Sequence, residues 1–103
     1  MRFAVKKLRA AESDALAAAT WYDEQLTGLG SAFLDELEAA VAKLTENPEL
    51  FAIRFSDVRC GRLRRFKDYG VFCLIVGNEV RVIAVHHGAR HPRWLRARRA
   101  KLD

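Results

Sequence analysis

The stretch VFCLIVGNEVRVIAVHH, residues 71–87, decides the fold of this 103-residue chain. It contains two runs of mostly β-branched and apolar residues, 71–76 and 79–87, separated by Gly77-Asn78. A Gly-Asn pair between two such runs is a recognised two-residue connection in β-hairpins. The sequence therefore predicts an antiparallel hairpin here, preceded by a third strand over residues 58–66.

Two helices are predicted ahead of these strands. Residues 10–25 are rich in alanine, and apolar or aromatic side chains follow helical spacing from this stretch into the next residue: Ala15, Ala18, Tyr22 and Leu26. A second apolar stripe, typical of a helix with one buried face, comprises Phe33, Leu37, Ala40, Val41 and Leu44. Gly28 ends the first helix and Thr27 is a possible cap for the second, which ends at Asn47-Pro48. The short connection makes the pair an antiparallel helical hairpin.

The opening residues, 2–8, alternate polar and apolar side chains, which is typical of a strand with one buried face. The element order β-α-α-β-β-β predicts an α+β fold in which the helical hairpin packs on an antiparallel sheet. At this length we expect a single domain over residues 1–103. Its last part, residues 92–103, is predicted to form a short helix or a loose basic tail.

The charge of the chain is divided between its two halves. The formal net charge is +5, with −4 over residues 1–50 and +9 over residues 51–103. This asymmetry indicates that the second half faces a negative partner, either nucleic acid or an acidic protein surface. No run approaches the ~18 apolar residues of a membrane helix, and the opening residues lack the apolar core of a secretory signal. With only two cysteines, a reducing cytosol is the expected location.

Both faces of the predicted sheet are apolar. Register counted from the Gly77-Asn78 turn brings Tyr69 near His86, and the preceding hairpin puts Arg64 across from Cys73. The face predicted to hold the helices carries Leu63, Phe72, Leu74, Val76, Ile83 and Val85. The opposite face carries Arg62, Arg64, Phe66, Tyr69, Val71, Cys73, Ile75, Val80, Val82, Ala84 and His86. Because only the tail is left to cover it, we expect a partner segment across this second face; a one-residue slip would exchange the two faces.

Few motifs carry specific chemistry. The sequence has no phosphate-binding glycine loop, no Ser/His/Asp spacing and no Cys-x-x-Cys, and Cys60 and Cys73 are expected to be small buried side chains without a disulfide. The three histidines are His86, His87 and His91. A metal site is not expected, because adjacent residues of a strand point to opposite faces.

One group of residues suits phosphodiester cleavage in RNA. That reaction needs a base for the 2′-hydroxyl, an acid for the leaving oxygen and a cation for the charge on the phosphate. His86, Tyr69 and Arg64, on one predicted face, could supply these roles. The alternative is that all three have structural roles. Tyr69 would then be an aromatic residue of the turn, His86 the last residue of the strand and Arg64 a solvated side chain at the sheet edge.

The assembled pieces resemble the ParE branch of the RelE/ParE toxins of bacterial type II toxin–antitoxin systems, a family with the same β-α-α-β-β-β fold. The matching pieces cover nearly the whole chain, in order: Ala15, Trp21-Tyr22-Asp23-Glu24-Gln25, Gly28-Leu29-Gly30, Phe33-Leu34, Leu37-Glu38, Asn47-Pro48, Phe51, Val58-Arg59, Leu63-Arg64-Arg65-Phe66, Tyr69-Gly70-Val71-Phe72 and Val82-Ile83-Ala84-Val85-His86-His87-Gly88-Ala89-Arg90.

The resemblance implies a cytoplasmic toxin that a cognate antitoxin holds inactive by wrapping its C-terminal segment around it. ParE-like members poison DNA gyrase and block replication without being enzymes, whereas RelE-like members cut messenger RNA in the ribosome. The Trp-Tyr-x-x-Gln and Gly-Leu-Gly pieces and the arginine-rich tail are similar to the ParE side. Gyrase inhibition with growth arrest is therefore expected, and a ribosome-dependent endoribonuclease is the alternative that His86-His87 keeps open. No cofactor, metal or membrane is implied.

The expected site residues follow from this resemblance together with charge and position. Contacts to gyrase are expected from Arg64, Arg65, Arg90, Arg93 and Trp94. The antitoxin is expected to cover Phe66, Val71, Ile75, Val80 and Val82. If the chain is a ribonuclease, the catalytic residues are expected to be Arg64, Tyr69 and His86.

Overall fold

The structure is a computed structural model and describes residues 3–87 and 93–102. The strands in these residues are β1 (Ala4–Lys7), β2 (Ala52–Phe55), β3 (Val58–Arg62), β4 (Tyr69–Val76) and β5 (Glu79–His87). The helices are α1 (Arg9–Gln25), α2 (Leu29–Leu44), a 3-10 turn (Pro48–Leu50) and α3 (Arg93–Ala100). The predicted α+β fold is confirmed, with β2 as an additional strand. In the described ranges, no helix is long and apolar enough to span a membrane.

The strands form a mixed sheet in the order β1-β5-β4-β3-β2. Every pairing is antiparallel except β1 with β5, which is parallel, so the prediction of a wholly antiparallel sheet is wrong at this edge. Local patterning cannot reveal this pairing, because it joins the first strand to the last. The edge strand β2 was missed because it has only four residues and three of them are exposed.

The hairpin β4–β5 turns at Gly77, whose φ of 61° suits glycine. The predicted register holds as far as the pair Cys73 and Val82, beyond which a bulge shifts it by one residue. Past the bulge Tyr69 pairs with His87, so the prediction that Tyr69 lies near His86 is wrong. The bulge adds one residue to β5 that β4 does not match, which a register counted from the turn cannot foresee.

The register predicted between the third strand and β4 is also wrong. Cys73 pairs with Arg59, and Arg64 lies in the loop after β3. The strand ends at Arg62 because the chain then makes a tight loop, closed by a hydrogen bond from the Tyr69 N–H to the Phe66 carbonyl (2.9 Å).

For most strand residues the two faces of the sheet are exchanged relative to the prediction. Leu63 and Val85 lie on the helical side, and Ala84 and His86 on the opposite side, as predicted. Helices α1 and α2 cover a core that includes Phe66, Val71, Cys73, Val80, Val82 and Val85. The five residues expected to meet the antitoxin therefore lie beneath the helices: Phe66, Val71, Val80 and Val82 buried, and Ile75 half-buried. Because both faces are apolar, alternation alone could not tell which one holds the helices.

The opposite face is covered by the chain's own terminal helix. Leu95 of α3 is buried in a second core cluster with Val58, Phe72, Leu74, Ile83 and Ala84. The tail is thus a docked helix. The expectation that this face needs a partner segment is wrong where α3 packs, because its short apolar stripe supplies the cover.

A carboxylate contact shapes the connection between α1 and α2. The Asp23 carboxylate accepts the N–H groups of Gly28 (3.2 Å) and Gly30 (2.7 Å), two donors at the start of α2. Thr27 makes no side-chain cap, contrary to prediction. The predicted stripe of α2 is confirmed, whereas Leu26, assigned to the stripe of α1, is 64% exposed.

Candidate functional site

The three residues predicted to cleave RNA are not brought together. The Tyr69 ring packs on the helical side of the sheet, 5.3 Å from the Phe33 ring. His86 lies on the other face, where its ring is 4.2 Å from that of Trp94. Arg64 projects from the loop after β3 and is exposed. The sheet therefore separates the predicted base from the predicted acid.

The histidine beside Tyr69 is His87. The two ring centroids are 5.7 Å apart, and His87 Nε2 lies 4.0 Å from a carboxylate oxygen of the exposed Asp68. Tyr22 completes the group, with its ring 5.7 Å from Tyr69. Burial, followed by the neighbouring Tyr69 and Asp68, raises the pKa of Tyr22. Sequence reasoning missed this group because it depends on the bulge in β5; the adjacent pair His86-His87 was the available signal.

The arginines of α3 divide into two sets. Arg98 and Arg99 point inward and bind Asp14 and Asp57, whereas Arg93 and Arg96 are exposed. The hydrogen bond from Arg99 lowers the pKa of Asp57. Arg98 and Arg99 thus fasten the helix to the domain, whereas Arg93 and Arg96 lie on its exposed face.

The other expected target residues occupy different positions. Trp94 is half-buried between His86 and Phe72, and Arg65 extends over the Phe66 ring with its guanidinium carbon 5.5 Å from the centroid. Arg90 falls outside the described residues. The loop after β3 and helix α3 lie on opposite sides of the sheet, so these arginines do not form one continuous patch.

The cysteines and histidines of the described ranges form neither a disulfide nor a metal-binding cluster. Cys60 and Cys73 are free thiols on opposite faces. Burial raises the pKa of Cys60, and it raises the pKa of Cys73 to about 11. In residues 3–87 and 93–102, no group of three or more histidine, cysteine or acidic side chains could hold a metal ion.

A groove beside α3 has an apolar floor and a basic rim. Its volume is about 510 Å³. Leu8, Leu74 and Val76 form much of its floor, and the three cations around it are Lys6, Arg81 and Arg99. Val76, at 44% exposure, is one of the more exposed large apolar side chains in this part of the molecule. We call this the α3 groove.

The sheet, the helical hairpin on one face and the terminal helix on the other define the RelE/ParE-like α+β fold. The chain is similar to a chain of the structure described as the chromosomal ParDE TA system from P. aeruginosa (TM-score 0.74, 17% identity, covering 84% of this chain and 96% of that chain). It is also similar to a mutant of the E. coli toxin RelE in the free state (TM-score 0.68, 17% identity, covering 99% and 98%).

A family model described as the ParE toxin of a type II toxin–antitoxin system, parDE, matches residues 5–92. The chain therefore belongs to the ParE toxin family. No curated protein matches it.

Proposed function

We propose that this chain is a cytoplasmic toxin that inhibits DNA gyrase, blocks replication and is neutralised by a cognate antitoxin. Membership of the ParE toxin family supports an antitoxin partner. The observation that carries the gyrase target is the match of residues 5–92 to the ParE toxin family. The sheet also separates Tyr69 from His86, which counts against the ribonuclease site predicted from the sequence. A ribonuclease built on these two residues would need both at one phosphodiester.

The exposed face of α3 supplies the contacts to gyrase in this proposal. Arg93 and Arg96 project from a helix that Leu95, Arg98 and Arg99 hold against the domain. A fixed helix loses little conformational entropy on binding, which favours a tight protein–protein contact. Arg64 and Arg65, on the other side of the sheet, are secondary candidates for the same target.

The antitoxin docks in the α3 groove. Its apolar floor and Lys6 match an extended or helical segment that alternates apolar and acidic residues, whereas Arg81 and Arg99 are already paired with Glu79 and Asp57. We therefore place the antitoxin in this groove and not on the face predicted from the sequence, because the side chains of that face are covered by α1 and α2. A docked segment would also contact the C-terminal end of α3 at Arg99 and Leu102, where it could hinder the approach of gyrase to the helix.

Purified gyrase tests the proposal. The antitoxin-free chain is added to a supercoiling assay and to a cleavage assay in which trapped enzyme leaves linear DNA. We expect loss of supercoiling together with accumulation of cleaved DNA. An unchanged gyrase, with the chain shown to be folded by circular dichroism, would contradict the proposed target.

A second candidate function is ribosome-dependent cleavage of messenger RNA. It is favoured by one specific observation, the Tyr69–His87 contact with Asp68 beside the histidine. His87 could act as the base or acid and Tyr69 as its partner. To test it, the chain is mixed with translating ribosomes and the ends of the messenger RNA are mapped. New 5′ ends that disappear with His87→Ala would support this function over gyrase inhibition.

A further inference from the structure

A basic recess lies where the second half of α2 meets the loop that follows β3. Its volume is about 330 Å³. Lys43 from α2, Arg62 from the end of β3 and Arg64 from the loop surround it, and the small side chains of Ala39 and Ala40 leave room between them. We call it the α2–β3 recess. It lies on the helical side of the sheet, opposite α3 and the α3 groove.

The positive charges of the recess are mostly uncompensated. Within the described ranges, the side chains of Lys43 and Arg64 make no hydrogen bond or ion pair. Arg62 uses one nitrogen, Nη1, for the carbonyl of Lys67 (3.1 Å) and keeps its other donors. Glu36, the one carboxylate lining the recess, accepts the N–H of Arg65 (2.9 Å) and keeps its negative charge, so the lining carries three cations against one anion. Three neighbouring cations repel one another, and a bound anion would turn that repulsion into attraction.

The backbone holds Arg64 in place before any ligand arrives. The residue before it, Leu63, is buried and donates its N–H to the Tyr69 carbonyl (3.2 Å). The residue after it, Arg65, is tied to Glu36 through its own N–H. With both neighbours fixed, the Arg64 side chain projects from a rigid base. Preorganisation of this kind reduces the entropy lost when a ligand is bound.

We infer that the α2–β3 recess binds a phosphate of a nucleic-acid backbone. A guanidinium presents paired N–H donors that match phosphate oxygens, and a lysine adds a point charge. The three cations are exposed, so the recess can take one unit of a long polymer. The same loop continues with Arg65 and Lys67, which extends the positive charge beyond the recess to neighbouring phosphates.

The chemistry of the recess favours a nucleic acid over an acidic peptide. Its lining offers alanines and cations, without the large exposed apolar side chains that anchor a peptide. It also holds no aromatic ring on which a base could stack. We therefore expect binding through phosphates alone, independent of base sequence. The inference does not depend on gyrase, because it concerns the chain and nucleic acid without a third component.

Fluorescence anisotropy tests this with the full chain and three labelled probes: a single-stranded DNA, the matching duplex and an RNA of the same sequence. The affinity is measured between 50 and 200 mM salt, where the logarithm of the binding constant falls linearly with the logarithm of the salt concentration. In Lys43→Gln with Arg64→Gln, we expect weaker binding and a duplex slope reduced by about 2, since each lost phosphate contact removes about 0.9. The three probes show which nucleic acid is preferred.

Two control variants make the test specific. Arg9→Gln with Lys101→Gln removes the same charge at exposed positions outside the recess and should keep the wild-type slope. Lys43→Arg with Arg64→Lys keeps the charge of the recess and should also keep it. The inference would be overturned if the two double glutamine variants lost affinity equally, or if the wild type did not bind nucleic acid. Competition by polyglutamate at the same charge concentration as DNA would also overturn it, because that result identifies an acidic-protein site.

Discussion

Asp14 and Arg98 join the first helix to the last across the end of β5. Arg98 Nη1 donates to Asp14 Oδ2 over 2.6 Å and to the Ile83 carbonyl over 3.2 Å. Asp14 Oδ2 also accepts the Val85 N–H at 3.1 Å. Strand β1 ends at Lys7, opposite Val82, so the following groups of β5 have no strand beside them on that edge. The ion pair therefore does two things: it holds α3 and it satisfies the backbone where the sheet edge is left open.

Asp14→Asn should destabilise the domain by about 2 kcal/mol, because removing one member of a partly buried pair leaves the other uncompensated. The side chains of Asp14 and Arg98 are 13% and 26% exposed. Asp57→Asn is the matched control: Asp57 also pairs with an arginine of α3, but it is 57% exposed, so its loss should cost about 1 kcal/mol or less. Urea unfolding monitored by circular dichroism measures both, and equal effects would contradict the role assigned to Asp14.

Gly30→Ala should destabilise the domain by about 2 kcal/mol, although alanine is the better helix former. A Cβ at this position would overlap the Ala19 carbonyl oxygen, and that oxygen belongs to the backbone of α1. Gly28→Ala separates this effect from conformational strain. Gly28 has φ of 93° but open space around its Cβ position, so its substitution should cost about 1 kcal/mol. A neutral Gly30→Ala would mean that the two helices can move apart.

Native thiol reactivity should be low at both cysteines and lowest at Cys73. With a pKa of about 11, roughly one Cys73 in a thousand is ionised at pH 8, whereas an ordinary cysteine is ionised by about a quarter. Iodoacetamide labelling followed by mass spectrometry should therefore modify Cys60 before Cys73, since Cys60 is only half-buried. In urea both should react at the same rate. Fast native labelling of Cys73 would indicate that the sheet core opens.

The local elements of this fold could be predicted, because the sequence encodes them in short patterns. The apolar stripe from Phe33 to Leu44 predicted α2, and Gly77-Asn78 predicted the turn of the β4–β5 hairpin with its first four pairs. The parallel pairing of β1 with β5 could not be predicted in the same way. It depends on how the helical hairpin returns the chain to the sheet, a property of the whole packing.

The candidate site was less predictable than the fold for a related reason. The single unmatched residue in β5 decides whether Tyr69 lies beside His86 or beside His87, and nothing in the alternation of residues 79–87 marks the bulge. Similarly, the run of arginines in the tail gave no sign that Arg98 and Arg99 bind carboxylates. Their partners, Asp14 and Asp57, are far away in sequence.

Tyr69→Phe and His87→Ala distinguish the two candidate targets. If gyrase is the target, both variants should still arrest growth when expressed without an antitoxin, because neither side chain is in the exposed face of α3. If messenger RNA is cleaved, each should lower the cleavage rate by about 100-fold or more, the usual contribution of a general acid or base. His86→Ala is a poor test, since it removes the ring packed on Trp94 and acts through stability.

Reversing the exposed charge of α3 tests how the toxin reaches its target. Arg93→Glu with Arg96→Glu should abolish gyrase inhibition, because two positive charges at a protein–protein contact become negative and repel the acidic surface they would meet. The helix should stay docked, since Leu95, Arg98 and Arg99 are unchanged. Thermal unfolding confirms that docking, and the supercoiling assay reports the activity.

Arg93→Lys with Arg96→Lys provides the control for this reversal. It keeps both charges on α3 but removes the planar guanidinium groups, one of which lies over the Phe55 ring with its carbon 4.8 Å from the centroid. If the double lysine variant still inhibits gyrase and the double glutamate variant does not, the effect is due to charge. If both double variants are stable but no longer inhibit gyrase, the effect is due to guanidinium geometry, which bidentate contacts require. Inhibition that survives in the Glu pair removes α3 from the contact with gyrase and leaves Arg64 and Arg65 as the residues to change next.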